Sequence, residues 1–181
     1  MTEMSESPMD LTPAMQNFIL HWGEMGTKWG VNRSVAQIHA LLHISPEPLT
    51  AEDIADTLGL ARSNVSTGIK ELQAWKLVKA TRNLGDRRDF FTSVQDMFEL
   101  AHVVIEGRRA REFQPTIEAL RAVSAEAEGD GTPAHVVKRM QETREMMELF
   151  DGWYQDVARL PRLVQMAAIR LGAKVARFLP K

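Results

Sequence analysis

Arg62, Ser63, Asn64, Ser66, Thr67, Lys70 and Gln73 are interleaved with Val65, Ile69 and Leu72. Spacings of three and four put the apolar three on one side of a helix and the polar set on the other. Hydroxyls, amides and cations of this kind donate to phosphate oxygens or read base edges in a DNA groove. Gly85-Asp-Arg-Arg88 follows, a tight turn carrying two arginines. Arg87 and Arg88 suit a narrow minor groove, where the negative potential deepens. The blander account pairs them with Asp86 and Asp89 in a surface network. A solvated helix face would resemble the first set taken alone; the helix and the basic turn together carry the DNA reading.

Other constellations are weaker. His39 and His43 have the i, i+4 spacing of a zinc helix, but Ala40 stands where a metalloprotease places its glutamate, and no third ligand is evident. Gly23, Gly26 and Gly30 follow no strand and precede no Lys-Ser/Thr, so close helix contact or a helix end explains them better than a phosphate loop. No catalytic triad or nucleophile elbow is found, so no enzyme is expected. Glu52 and Asp53 sit at a helix N-terminus, where they complement the dipole. Trp22 and Trp29 lie two turns apart on one face. Their rings could hold a cationic ligand in a crevice by cation–π attraction; core packing is the simpler account of each, and of Trp75 and the paired Met140 and Met147.

These groups need elements to hold them. Leu11, Met15, Phe18, Trp22, Met25 and Trp29 form a heptad seam on a helix of about five turns. That seam either buries against its own core or joins a two-fold interface. Asn32 or Ser34 can cap a second helix through His43, stopped by Ser45-Pro-Glu-Pro48. Thr50 and Asp53 read as a capping-box variant for a short helix, Ala51 to Leu58, and Gly59 ends it. The polar helix runs from about Arg62 to Trp75. Two short strands follow, near 77–82 and 89–93, joined by Asn83-Leu-Gly-Asp86. Helical patterns fill the rest: 94–113, a kink or restart at Pro115, and a stretch to Ala127. A linker at 128–133 precedes helices over 134–158 and 162–179. The last presents Leu163, Ala167, Leu171, Val175 and Phe178 on one side.

Two short helices across a Gly turn, followed by a basic hairpin, make a winged helix-turn-helix pattern. Leu49-Thr-Ala-Glu-Asp-Ile-Ala-Asp-Thr-Leu-Gly-Leu60, Asn64-Val-Ser66, Leu77-Val78 and Gly85-Asp-Arg-Arg88 resemble the MarR superfamily of winged-helix regulators. The tract from Gly26 through Ile38-His-Ala-Leu-Leu42, Trp75, and Arg108-Arg-Ala-Arg-Glu112 ahead of Pro115 are similar to its GbsR branch. The resemblance covers residues 18–120 well and the last 60 residues weakly. It departs at Ala61, where a hydroxyl residue usually caps the recognition helix, and at Asn32, where the branch often has proline. It implies a homodimer on double-stranded DNA with an inverted-repeat operator, a recognition helix in each major groove, wings along the minor grooves, and repression. In some members a small molecule changes DNA affinity, so a small-molecule effector is a further partner.

Composition agrees with this class. The 181 residues carry 22 basic and 24 acidic side chains and no cysteine, which excludes disulfide frameworks, thiolate metal sites and polybasic tails. The near-neutral total hides Ala61 to Ser93, with seven basic residues against three acids. An acidic N-terminus without a leader pattern and the lack of an 18-residue apolar run predict a cytoplasmic chain that does not span a membrane. The expected fold is mainly α: a winged helix-turn-helix with a two-stranded β-wing and long flanking dimerisation helices. Residues 31–93 form the DNA-binding domain; 10–30 and 94–181 form a helical dimerisation and sensor region. No cofactor is expected. The competing reading is a winged-helix module that binds protein as a scaffold; the basic stretch and the lack of aromatic anchors on its helix argue against it.

Overall fold

A computed structural model describes residues 9–172. The order is α1 (Pro13–Lys28), α2 (Arg33–Ile44), β1 (Leu49–Thr50), α3 (Ala51–Leu58), α4 (Arg62–Ala74), β2 (Val78–Thr81), β3 (Phe90–Ser93), α5 (Met97–Arg108), a π-helical stretch (Arg109–Phe113), α6 (Gln114–Ala127), α7 (Ala134–Ala158) and α8 (Arg162–Leu171). The chain divides into two compact units, one through Arg108 and one from Arg109. The fold is mainly helical with one small antiparallel sheet, as expected of a winged helix.

Local chemistry sets most element ends in the first unit. Thr12 accepts from the Met15 amide, and Pro13 occupies the first turn of α1. Asn32, rather than Ser34, caps α2. At α3 the box is complete: Thr50 Oγ1 accepts from the Asp53 amide at 3.2 Å, and Asp53 Oδ2 accepts from the Thr50 amide at 2.8 Å. Gly59 then turns the chain at φ 63°, a left-handed conformation that glycine adopts without penalty.

The core of this unit gathers around Ile38, Leu41, Leu42, Ile54 and Val65, all essentially inaccessible. Helices α1 and α4 pack on α2 at close range. A β-carbon at Gly26 would stand 2.5 Å from that of Ala36, and one at Gly68 would stand 2.7 Å from Ile38 Cδ1. Leu11, Phe18 and Trp22 of the α1 seam pack against this core. The buried residues of α1 are Ile19, Gly23 and Gly26, while the seam beside them is only half-covered by its own unit, with Trp29 exposed.

The wing is the expected β2–β3 hairpin, paired Val78 with Ser93 and Thr81 with Phe90. The sheet also has a third strand: β1 pairs with β3, Leu49 opposite Phe91. Helix α5 begins at Met97, later than Val94, because Asp96 accepts from the amides of Phe98 and Glu99. The break near Pro115 is a π-helical stretch followed by α6, with Pro115 in its first turn.

In the second unit α6 packs on α7. Among the described residues its fully buried apolar side chains are only Ile117 and Ala127, accompanied by Ser124 and the Asp151 carboxylate. Helix α8 is described from Arg162 to Leu171; Val175 and Phe178 lie outside the described residues. No described helix is long and apolar enough to cross a membrane.

Candidate nucleic-acid interface

Helix α4 is seated by Val65, Gly68, Ile69 and Leu72, which are buried. Its packing leaves Arg62, Ser63, Asn64, Ser66, Thr67 and Lys70 exposed together. Ala61 offers its helix no side-chain cap, and no other side chain replaces it. The free amides of the first turn stay available, and the helix dipole there favours an anion.

A groove of about 420 Å³ joins α4 to the wing, lined in part by Ser66, Lys70 and Gln73 on one wall and Ala80, Arg88 and Asp89 on the other. A second, of about 190 Å³, lies beside Asn64 and Thr67 toward Asn32 and Ser34 at the start of α2. The polar helix and the basic turn thus share one side of the unit.

The cations differ in how they are held. Arg62 is ion-paired with Glu52 across the turn. Arg88 Nη2 lies 2.7 Å from Asp86 Oδ2, and its guanidinium carbon sits 5.4 Å from the centre of the Phe90 ring. Hydrogen bonds from Arg88 hold the Asp86 carboxyl down to about 2. Arg82 takes Asp89, at 2.6 Å. The wing network is real for Arg88, but Arg87 is outside it: among the described residues neither Arg87 nor Lys70 forms an ion pair. Glu52, read from sequence as complementing the α3 dipole, also holds Arg62, and the place of Phe90 under Arg88 has no sequence signal. The only sequence signal for Glu52 is an acid in the first turn of α3, ten residues before Arg62.

Behind α4 the first unit has a largely apolar cleft of about 120 Å³ that opens to solvent. Trp22, Trp29 and Trp75 line it with His39, Glu71 and Arg108. Trp22 is half-buried, its ring 6.0 Å from His39 and 6.3 Å from His43. Trp29 is 59% exposed, so it is not a core residue; it caps the end of α1, and Arg108 donates to its carbonyl. Trp75 is half-buried over Gly107, where a β-carbon would come within 2.8 Å of the ring. His39 is buried and its Nε2 has no partner. Burial, with His43 beside it, lowers its pKa to about 4, so the ring is neutral at pH 7.

The MarR family profile matches residues 29–89, from the end of α1 to the wing tip. Over 154 residues the chain is 24% identical to the HTH-type transcriptional repressor GbsR of Bacillus subtilis (strain 168), covering 84% of this chain and 83% of that protein. Both comparisons make this chain similar to MarR-family regulators of the GbsR kind. A crystal structure described as a transcriptional regulator shares the fold, with a TM-score of 0.56 at 21% identity over 80% of this chain and 95% of its own. A MarR-family regulator from Rhodococcus sp. RHA1 is 18% identical over 72% of this chain and 84% of its own, with a TM-score of 0.38, and adds no weight. The MarR match spans α2 to the Gly85 turn, the segment that holds every exposed donor described above.

Proposed function

We propose that this chain is a MarR/GbsR-type homodimeric repressor that reads an inverted-repeat operator in double-stranded DNA. The carrying observation is the groove that sets Ser66 and Lys70 of α4 beside Arg88 of the wing. Lys70, Arg87, Arg88 and the uncapped amides of α4 hold phosphates. Asn64, Ser66 and Thr67 read base edges, with Ser63 and Arg62 at the margin, the latter after leaving Glu52. Residues 31–93 do the DNA work, and 10–30 with 94–181 serve dimerisation and sensing, in the cytoplasm.

The effector site is the cavity behind α4. Trp22 and Trp29 offer ring faces to a cation, and Glu71 is among the residues that line it. Because Glu71 and Leu72 belong to α4, an occupant bears on the helix that meets DNA.

A gel shift on DNA from the protein's own promoter region, at two salt concentrations, tests the core of this reading. Log affinity should fall by about 0.9 per neutralised phosphate for each unit of log salt. Half-site centres should lie about one helical turn, or a multiple, apart. Affinity that ignores salt, or selected sites without two-fold symmetry, would count against it; binding to a protein partner alone would favour a scaffold module.

A further inference from the structure

Between Val78 and Phe90 the chain is polar or small at every position except Leu84. Leu84 is 108% exposed, the most of any large apolar side chain among the described residues. The others that stand exposed lie on helices or at helix ends, such as Phe150 and Trp153 of α7 at 57% and 63%. Leu84 is instead held out on a turn. The Asp86 amide donates to the Asn83 carbonyl at 3.1 Å, and Gly85 has φ 87°. This is the pattern of a type II turn with Leu84 at its first corner. Below the turn, Arg82 Nε donates to Asp89 Oδ1 at 2.6 Å across the loop, and Asp86 accepts from the Arg88 amide at 2.9 Å. These bonds fix the direction of a leucine that its own unit leaves wholly uncovered.

We propose that Leu84 is a wedge that enters the DNA minor groove ahead of Arg87 and opens a base step, so that the chain bends the duplex it binds. The inference rests on the DNA reading above and adds to it the shape of the bound duplex. Three observations favour DNA over a protein partner. Asp86 and Asp89 are taken by Arg88 and Arg82, so Arg87, three residues past the leucine, is the loop cation left for a phosphate or a narrow groove. The root of the same hairpin, at Ala80, Arg88 and Asp89, shares a groove with α4, so a tip beyond it projects past the helix that reads the major groove. A single leucine also falls far short of the roughly 800 Å² per partner of a stable protein interface. Leucine is among the side chains that enter base steps from the minor groove, partly unstacking them and kinking the duplex by about 20–90° toward the major groove. Such opening costs least at TA and CA/TG steps. Leu84 therefore adds a sequence preference without a hydrogen bond.

The test uses duplexes recovered by the full wild-type chain from a pool of random sequence. The adenines flanking the selected site are replaced one at a time by 2-aminopurine, whose emission rises when its base unstacks, and the duplex ends carry a dye pair that reports bending by energy transfer. Wild type should raise the emission several-fold at one step beside each half-site and bring the ends closer. Leu84→Ser should leave both signals near those of the free duplex, and Leu84→Met should restore them. Circular dichroism of both variants should match wild type, because the side chain packs on nothing. Replacing the flexible step with a stiff A-tract should weaken wild type about tenfold and leave Leu84→Ser unaffected. If no duplex is recovered, the DNA reading itself falls. A wild-type complex whose flanks stay stacked and straight overturns this assignment alone, as does a Leu84→Ser complex that is unstacked and bent like wild type.

Discussion

Arg109 Nε donates to Asp151 Oδ1 at 2.6 Å while its Nη2 donates to Oδ2 at 3.2 Å, so the first residue of the π-helical stretch is clasped to α7. Gln114 and Gln155 add donors to Oδ2, at 2.8 and 2.7 Å. The carboxylate is 10% exposed and the guanidinium 21%. A two-toothed contact of this kind fixes direction as well as distance. It holds a π-helical geometry that is rare in isolation.

Breaking that clasp should cost stability. Asp151→Ala strands three donor side chains near the α6–α7 contact and is expected to lose about 3–5 kcal/mol, read as a fall in the urea midpoint. The donors from Arg109 hold the Asp151 carboxyl below the usual carboxylate range. The unfolded chain therefore takes up this proton first as pH falls, near pH 4. The stabilisation is whole above that value and disappears as pH falls through the lower folded-state pKa. Asp151→Asn should flatten the profile in that acid range; an unaltered profile would show that the clasp contributes nothing.

His39 acts in a higher window. Its pKa is about 4 in the fold against about 6.5 when unfolded. Between those values the unfolded chain binds a proton that the folded chain refuses. Stability should fall as pH drops from about 6.5 to about 4, by at most about 1.4 kcal/mol per pH unit. His39→Leu removes the titrating ring and should level this window while leaving the acid range of Asp151 as it was. Urea titrations at half-unit pH steps would resolve the two.

The open N-terminus of α4 gives a prediction of opposite sign. Ala61 has φ −62° and ψ 138°, the extended backbone from which a serine hydroxyl caps a helix. Ala61→Ser should raise stability by about 1 kcal/mol. The same hydroxyl would occupy amides assigned here to phosphate, so DNA affinity should not rise with stability. Thermal melts and a binding titration on the same samples check both halves.

Reading and holding should separate on DNA. Asn64, in the first turn of α4, can make a two-point contact with adenine. Asn64→Ala should cost roughly 1–3 kcal/mol on the best site and much less on random DNA. Arg87, without an ion pair to break, should act on phosphate or groove width. Arg87→Ala should weaken specific and random DNA alike and lower the salt slope by about one. An unchanged specificity ratio in Asn64→Ala would remove Asn64 from base reading.

Much of the first unit is readable without coordinates because its signals are local. Thr50 and Asp53 satisfy each other across one turn, and Gly59 is needed where φ turns positive. The donors of α4 stand out because Val65, Ile69 and Leu72 keep to the other side. What escapes reading is non-local or doubly patterned. β1 is two residues long and has no room to alternate. Arg62 and Glu52 meet across a turn, ten positions apart. The heptad from Leu11 to Trp29 shows that a face needs cover, not what covers it. On α7, Met140 and Met147 mark one apolar side while Phe150 and Trp153 mark another about 100° round the helix, and two neighbouring stripes blur each other's period.

The chain has four tryptophans, and their placement makes the protein its own optical gauge. Trp22, Trp29 and Trp75 surround one cavity, while Trp153 stands alone on the outer side of α7. Emission from the first three answers to what enters behind α4. Emission from the fourth shifts to the blue when α7 is covered. Replacing Trp153 with phenylalanine silences one channel and leaves the other, so filling of the cavity and covering of α7 can be followed separately by intrinsic fluorescence, without attaching a dye.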